Sequence, residues 1–269
     1  MSVITISRGS YSGGKMLAEA LAQKLGYRCI DRDLIVQKAA ASGISGEELK
    51  TALDKPPTFL GHSRHAAYVY LAVIQAALTE EVRSGNAIYH GLAGHLLLKD
   101  ATHVLRTRVV APMEFRIAKV QQRLELSRKQ AIAYIQKIDE ERRKWTHSLY
   151  GVDWADPALY DIVINLDRLK IEQACEVICS MLKQEPFRWT RENQQAMEDL
   201  AIASRIRANL ATNFTTSELE LEIKVHSGVV MVKGALMQVE QADHIRQIAG
   251  AVPGVKSVNL DKMALVARL

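Results

Sequence analysis

The first twenty-six residues constrain this chain more than any other stretch. Val3, Ile4 and Ile6 form a β-branched run that reads as a buried strand. It runs into Arg8-Gly9-Ser10-Tyr11-Ser12-Gly13-Gly14-Lys15, and then Leu17, Ala18, Leu21, Ala22 and Leu25 recur at helical spacing until Gly26 stops the helix. A strand, a G-x-x-x-x-G-K loop and a helix together make a phosphate-binding pattern. Loop N–H groups at the positive end of a helix form a nest for an anion, and Lys15 adds a full charge. Gly9, Gly13 and Gly14 are expected to let the backbone turn tightly and approach a phosphate. Gly9, Ser10, Ser12, Gly13, Gly14 and Lys15 are therefore the candidate phosphate-binding residues, against the plainer reading of a glycine turn. The Ser or Thr that should follow the lysine and hold Mg²⁺ is missing. Met16 stands there, which leaves Ser10, Ser12 or an acidic side chain as substitutes.

The rest of the composition narrows the class. At 269 residues, with 48% hydrophobic and 24% charged residues, the chain has the balance of a globular protein of one large or two smaller domains. A net charge of +5 suits anionic substrates, but no dense Lys/Arg stripe points to nucleic acid. Three cysteines, Cys29, Cys175 and Cys179, are too few and too uneven for a disulfide framework. With no signal core and no apolar run long enough to span a membrane, a cytoplasmic protein is expected.

Tyr27 to Ile30 reads as a second strand ending in Asp31-Arg32-Asp33. Strand ends of this kind open onto the ligand crevice, so Asp31 is a candidate acceptor contact; it is equally a cap for the helix carrying Leu34, Ile35 and Val36. Residues 42 to 65 carry Gly, Ser and Pro56-Pro57 and read as a mobile segment over the acceptor, with Arg64 as a candidate phosphate contact and His62 and His65 either further contacts or, as the better reading, solvated histidines. Tyr68 to Val82 is a helix with few charges, expected to pack on the sheet. Ala87 to Tyr89 is a third strand that runs into His90-Gly91-Leu92-Ala93-Gly94, and Val104 to Ala111 a fourth. A helix from Met113 to Leu124 follows, and Ser127-x-x-Gln130 is a capping box opening another. That helix carries Asp139 through Lys144, either a solvated face with i,i+4 ion pairs or a lid whose arginines clamp phosphates. Tyr160 to Asn165 is a strand and Ile171 to Leu182 a helix.

Assembled, ITISRGSYSGGK, LGYRCIDRD, IYHGLAG, TRVVAPMEFRI, the D-x-x-R of Asp139 and Arg142, and GVDWADPALYDIVIN with Arg168 resemble the cytidylate kinase-like family over residues 1–185. The resemblance implies an α/β fold of the P-loop NTPase type, a three-layer parallel sheet of five strands with a lid. It implies transfer of the ATP γ-phosphoryl to a nucleoside monophosphate, CMP-like, with ATP and Mg²⁺ as cofactors. Carried over by position, Gly9 to Lys15 would hold the ATP phosphates, and Arg142 with Arg143 would neutralise transition-state charge beside Lys15. Asp31 would face the acceptor; Arg64 and His90 are further candidate acceptor-binding residues, not carried over from the family. Where such kinases commonly read G-R after the third strand, this chain reads Gly91-Leu92, and leucine donates no hydrogen bond. A non-catalytic nucleotide sensor is the alternative that Met16 and Leu92 suggest.

Glu185 to Trp189 breaks the pattern, and residues 186–193 read as a linker. Met197, Leu200, Ala203, Ile206 and Leu210 then mark a helix, Glu218 to Val225 alternates as a half-wet strand, and Ser227-Gly228 turns into Val229 to Lys233. A second helix through Val239, Ala242, Ile245 and Ile248 leads by Pro253-Gly254 into a last strand. The IKVHSGVVMVKGAL hairpin and the AGAVPGVKSVNL ending make residues 194–269 resemble a BON domain, a small α+β unit without catalysis. That resemblance implies binding of phospholipid, an ion or a protein partner. Nucleic acid is not expected, and a homo-oligomer is left open.

Overall fold

The computed structural model describes residues 1–54, 64–91 and 93–265, with the side chains of residues 53, 54 and 64 excluded. His62, Leu92 and the side chain of Arg64 thus lie outside the described residues. The described chain forms two compact units, residues 1–35, 50–54 and 85–189 in one, and 36–49, 64–84 and 190–265 in the other.

The first unit is built on a five-stranded, wholly parallel sheet. Its strands are β1 (Val3–Arg8), β2 (Arg28–Asp31), β3 (Ala87–His90), β4 (Leu105–Val110) and β5 (Ile162–Asn165), in the order β2-β3-β1-β4-β5. Burial explains the continuous apolar runs: β1 has both neighbours paired, and Val3, Ile4 and Ile6 are essentially inaccessible. Helix α1 (Gly14–Leu25) ends on Gly26 in the left-handed conformation, as the sequence predicts. Its Leu17, Ala18 and Leu21 join Ile4, Ile6, Leu105 and Val109, and Ile178 of a later helix, in one core cluster.

Helix α2 (Arg32–Ala40) follows β2 directly. Part of the segment expected to be mobile is instead a helix, α3 (Gly46–Asp54). Its start is signalled by Ser45, whose Oγ accepts the Glu48 N–H at 3.1 Å, a serine cap that the surrounding glycines and prolines obscure in the sequence. Helix α4 (Arg64–Val82) corrects a second expectation. Its apolar surface packs chiefly against a C-terminal helix, α9 (Arg191–Thr212), rather than on the sheet. Arg207 Nη1 donates to Gln75 Oε1 at 2.8 Å across that contact.

Between β3 and β4 lies the single-turn α5 (Gly94–Leu97). After β4 comes α6 (Met113–Leu124), with the bounds read from the sequence, and then α7 (Arg128–Tyr150). The Ser127–Gln130 capping box is formed. Ile117 and Val120 of α6 pack on Ala131 and Ile135 of α7. Trp145 of α7 is wholly buried and donates its indole N–H to the Ala52 carbonyl at 2.7 Å. Helix α8 (Ile171–Met181) follows β5 and packs beside α1.

In the second unit, β6 (Leu221–His226) and β7 (Val229–Leu236) form an antiparallel hairpin, joined in parallel by β8 (Ser257–Leu265) after α10 (Glu240–Gly250). The hairpin turn is Ser227-Gly228, both at positive φ. Ile206 and Leu210 of α9, Ile223, Val230, Val232 and Ile245 form the core.

Asp199 on α9 is buried, and its two oxygens accept the backbone N–H groups of Ser227 at 2.7 Å and Gly228 at 3.0 Å. Removing the carboxylate strands two donors in a poorly hydrated place. Asp199→Ala is expected to destabilise this unit by about 1–3 kcal/mol, read as a lower urea midpoint.

Candidate functional site

Strand β1 ends at Arg8, between β3 and β4, where successive connections leave the sheet in opposite directions. A parallel α/β sheet opens its ligand crevice at such a point. A cleft of about 780 Å³ lies there, lined by the loop Ser10 to Lys15, by Asp31 at the end of β2 and Arg32 after it, by His90, and by Arg123 and Arg142.

The loop is held from below. Gly13 sits at φ 88°, and a Cβ there would come within 2.8 Å of Leu166. A Cβ on Gly14 would meet the Arg8 side chain at 2.8 Å, so this glycine makes room for an arginine stem. Gly9 is not needed in the same way. It lacks a positive φ, its Cβ would make only ordinary contact with Arg116 at 3.5 Å, and the second left-handed loop residue is Tyr11 at φ 59°. The Ser12 hydroxyl is buried 3.0 Å from the carbonyls of both Gly9 and Val109. Asp139 of α7 reaches the loop, and its Oδ1 accepts from Ser10 Oγ at 2.8 Å and the Ser10 N–H at 3.2 Å. Arg116 completes the link, with Nη2 2.5 Å from Asp139 Oδ2 and Nε donating to the Ser10 carbonyl at 2.7 Å. Lys15 is exposed at the mouth, 3.6 Å from Glu19 one turn along α1.

This donor set fits phosphate: remaining loop N–H groups, a glycine pair with no room for side chains, and several cations around one cleft. It does not fit a magnesium ion held by the loop. Met16 supplies no oxygen, and the Ser10 and Ser12 hydroxyls are engaged with Asp139 and with carbonyls. Among the described residues, no three His, Cys, Asp or Glu side chains gather as metal ligands.

Helix α7 sends Arg142 into the cleft, where its Nη1 donates to the Arg8 carbonyl at 2.8 Å and its guanidinium lies 5.9 Å from the Trp154 ring centre. Burial, then the nearby positive charge of Arg8, pushes its pKa down to about 10; Arg32 and Arg116 act the same way and Asp139 opposes them. Arg143, one position on and about 100° around the helix, is half-exposed, bonded to Glu140 and 3.7 Å from Asp153, and is not among the residues lining the cleft.

Asp31 meets both of its expected placements. Its Oδ1 caps α2 by accepting the Leu34 N–H at 2.9 Å, and the residue also lines the cleft. His90 is 5% exposed, and its Nδ1 lies 2.9 Å from Arg8 Nη1. A guanidinium can only donate, so Nδ1 carries no proton and the imidazole is neutral. His65 stands in the other unit, 3.5 Å from Glu218.

Sequence reasoning assigned no role to Arg8, Arg116 or Trp154, nor to Asp139 beyond its motif. The signal for Arg8 was its place directly before the first glycine. The glycines after β3 have a structural cause that was also missed. A Cβ at Gly91 would fall 2.3 Å from the hydroxyl of the buried Tyr89, and one at Gly94 2.4 Å from its ring.

Burial, and next the positive charge of Arg8, holds the pKa of His90 down to about 4; burial does the same to His95, down to about 3. Both rings stay neutral in the fold at a pH where they would be protonated in the unfolded chain. Their stability contribution is present above about pH 6.5 and is lost as pH falls towards 4 and then 3, by a few kcal/mol in all. Acid unfolding should begin below pH 6, with His90 titrating near pH 4 by NMR. An imidazole titrating near 6.5 at that position would contradict the burial argument.

Residues 3–168 match the cytidylate kinase-like family, and residues 198–266 match the BON domain. Among curated proteins, the chain is 29% identical over 168 residues to a cytidylate kinase of Methanothrix thermoacetophila, covering 62% of this chain and 89% of that one. It is 28% identical over 185 residues to the cytidylate kinase of Ignicoccus hospitalis, covering 68% and 99%. Among solved structures, an uncharacterized protein from Eubacterium ventriosum aligns with a TM-score of 0.53 at 16% identity, over 69% of this chain and 100% of the other, a likeness of fold. With its parallel sheet, its glycine loop and a family match across more than half its length, the chain belongs to the cytidylate kinase-like family and carries a C-terminal BON domain.

Proposed function

We propose that the protein is a nucleotide kinase that transfers the ATP γ-phosphoryl to a nucleoside monophosphate or related acceptor, CMP-like. The single observation that carries this reading is the loop Ser10 to Lys15 facing Arg142 across one cleft at the end of β1. The cytidylate kinase relatives favour CMP among acceptors.

Each residue would act by position and charge, since phosphoryl transfer needs no covalent nucleophile from the protein. The loop N–H groups and Lys15 would receive the donor phosphates. Arg142, already desolvated, would meet the charge on the transferring group without waiting for water to leave. Asp31 and His90 would border the acceptor, with Arg64 as a further contact and Arg143 supporting the lid from outside. On this reading residues 1–185 are the kinase-like domain, 186–193 the linker and 194–269 the BON domain. The BON domain would sense or tether, towards phospholipid, an ion or a protein partner; Val229 and Met231, exposed on one face of β7, support such contact. Among the described residues, no helix is long and apolar enough to cross a membrane. The reading goes with a cytoplasmic location.

Met16 and the engaged serine hydroxyls favour a second reading, a nucleotide-binding sensor that does not transfer phosphate. Incubation with labelled Mg-ATP and a panel of nucleosides and nucleoside monophosphates separates the two. The kinase reading expects transfer to a cytidine nucleotide, reduced on the order of 100-fold or more in Arg142→Ala and in Lys15→Ala. ATP binding that depends on Lys15, with no acceptor labelled, would favour the sensor and overturn the kinase.

A further inference from the structure

We propose that Arg8, aimed by His90, is the residue that grips the phosphate of the acceptor. This rests on the phosphoryl-transfer reading above and assigns one half of its site.

Arg8 is placed as a built anion contact rather than as a surface charge. Its stem crosses Gly14, the one loop position where a Cβ would strike it at 2.8 Å. Its head is carried away from the loop to the end of β3, where Nη1 meets His90 Nδ1 at 2.9 Å. His90 is itself buried and neutral, so it fixes the guanidinium by accepting a hydrogen bond without cancelling its charge. No carboxylate among the described residues lies within ion-pair distance of Arg8, and the buried Arg142 binds Arg8's own carbonyl. Burial lowers the pKa of Arg8, Arg32 and Arg123 add to the effect, and the charge of Asp31 opposes it from beyond ion-pair distance. Two guanidiniums that desolvate and repel each other at the floor of an open cleft are costly unless an anion joins them.

The side of the sheet decides which phosphate that is. Donor phosphates belong on the N–H groups at the start of α1. Arg8 reaches the opposite way, towards the ends of β3 and β2, where Asp31 and Arg32 also border the cleft. The sequence after β3, Gly91-Leu92, supplies no side-chain donor of its own, whereas Arg8 brings a guanidinium to the end of β3 from β1.

Titration calorimetry on the full chain tests this. CMP, UMP, AMP and GMP would be screened on the wild type, and the tightest would be compared with its nucleoside and with ATP. Arg8→Met keeps the stem over Gly14 and removes the charge. It should weaken the monophosphate about 10- to 100-fold, the span of one charge-assisted hydrogen bond, leaving nucleoside and ATP affinity within about 3-fold. Arg8→Lys should recover part of the loss. His90→Phe should weaken the monophosphate likewise, while His90→Gln, which retains an acceptor, should restore it. Unchanged monophosphate affinity in a folded Arg8→Met protein, or an equal loss of ATP, would overturn the assignment and leave the kinase reading standing. A wild type that binds neither ATP nor any monophosphate would sink both.

Discussion

Positive charge concentrated at one end of β1 is the constraint on which the first unit depends. Burial disfavours the charged forms of Arg8 and Arg142, Arg32 adds to both effects, and Arg8 and Arg116 add to it at Arg142. Fold and site both answer to this. Asp139 takes up Arg116 and in the same step ties α7 to the loop through Ser10. His90 and the Arg8 carbonyl hold two guanidiniums by neutral oxygen or nitrogen, which positions charge without removing it. What remains is a cleft lined with positive charge, which suits an anion.

The glycine loop is a second expression of the same economy of space. Gly14 is bare because the Arg8 stem runs beneath it, and Gly91 and Gly94 are bare because the Tyr89 ring fills the space beside them. These glycines leave room for a large side chain rather than for chain flexibility. A substitution there would act first on the side chain that sits against it.

Much of this was readable in advance because it is local. The strand of β-branched residues, the Gly26 stop, the Ser127–Gln130 box and the alternation in β6 depend on neighbours a few positions away, and all appear in the fold. Most of the features that were missed depend on distant partners. Nothing within the Tyr68–Val82 stretch announces that α9, more than a hundred residues later, will cover α4. The helix start at Ser45 was hidden by the glycines and prolines around it. Arg142 and Arg143 are indistinguishable as sequence, and the helical rotation between them separates the residue inside the cleft from the one paired with Glu140. The role of Arg8 needed Gly14, His90 and Arg142 to be seen together.

The two matched regions carry different kinds of chemistry. The kinase-like region gathers charge into a cleft, whereas the BON region buries a small apolar core and uses the buried carboxylate of Asp199 to hold a turn. On the kinase reading proposed above, the chemistry falls to the cleft of the kinase-like region. The most direct measurement is calorimetric binding of a bisubstrate ligand in which adenosine and cytidine are joined 5′ to 5′ through a pentaphosphate. A cleft that seats donor and acceptor phosphates together should bind it in a 1:1 ratio and more tightly than ATP or CMP by about 100-fold or more, because one ligand then fills both halves. Affinity no greater than that of ATP would mean that the cationic cleft holds a single nucleotide, and would contradict the two-substrate site.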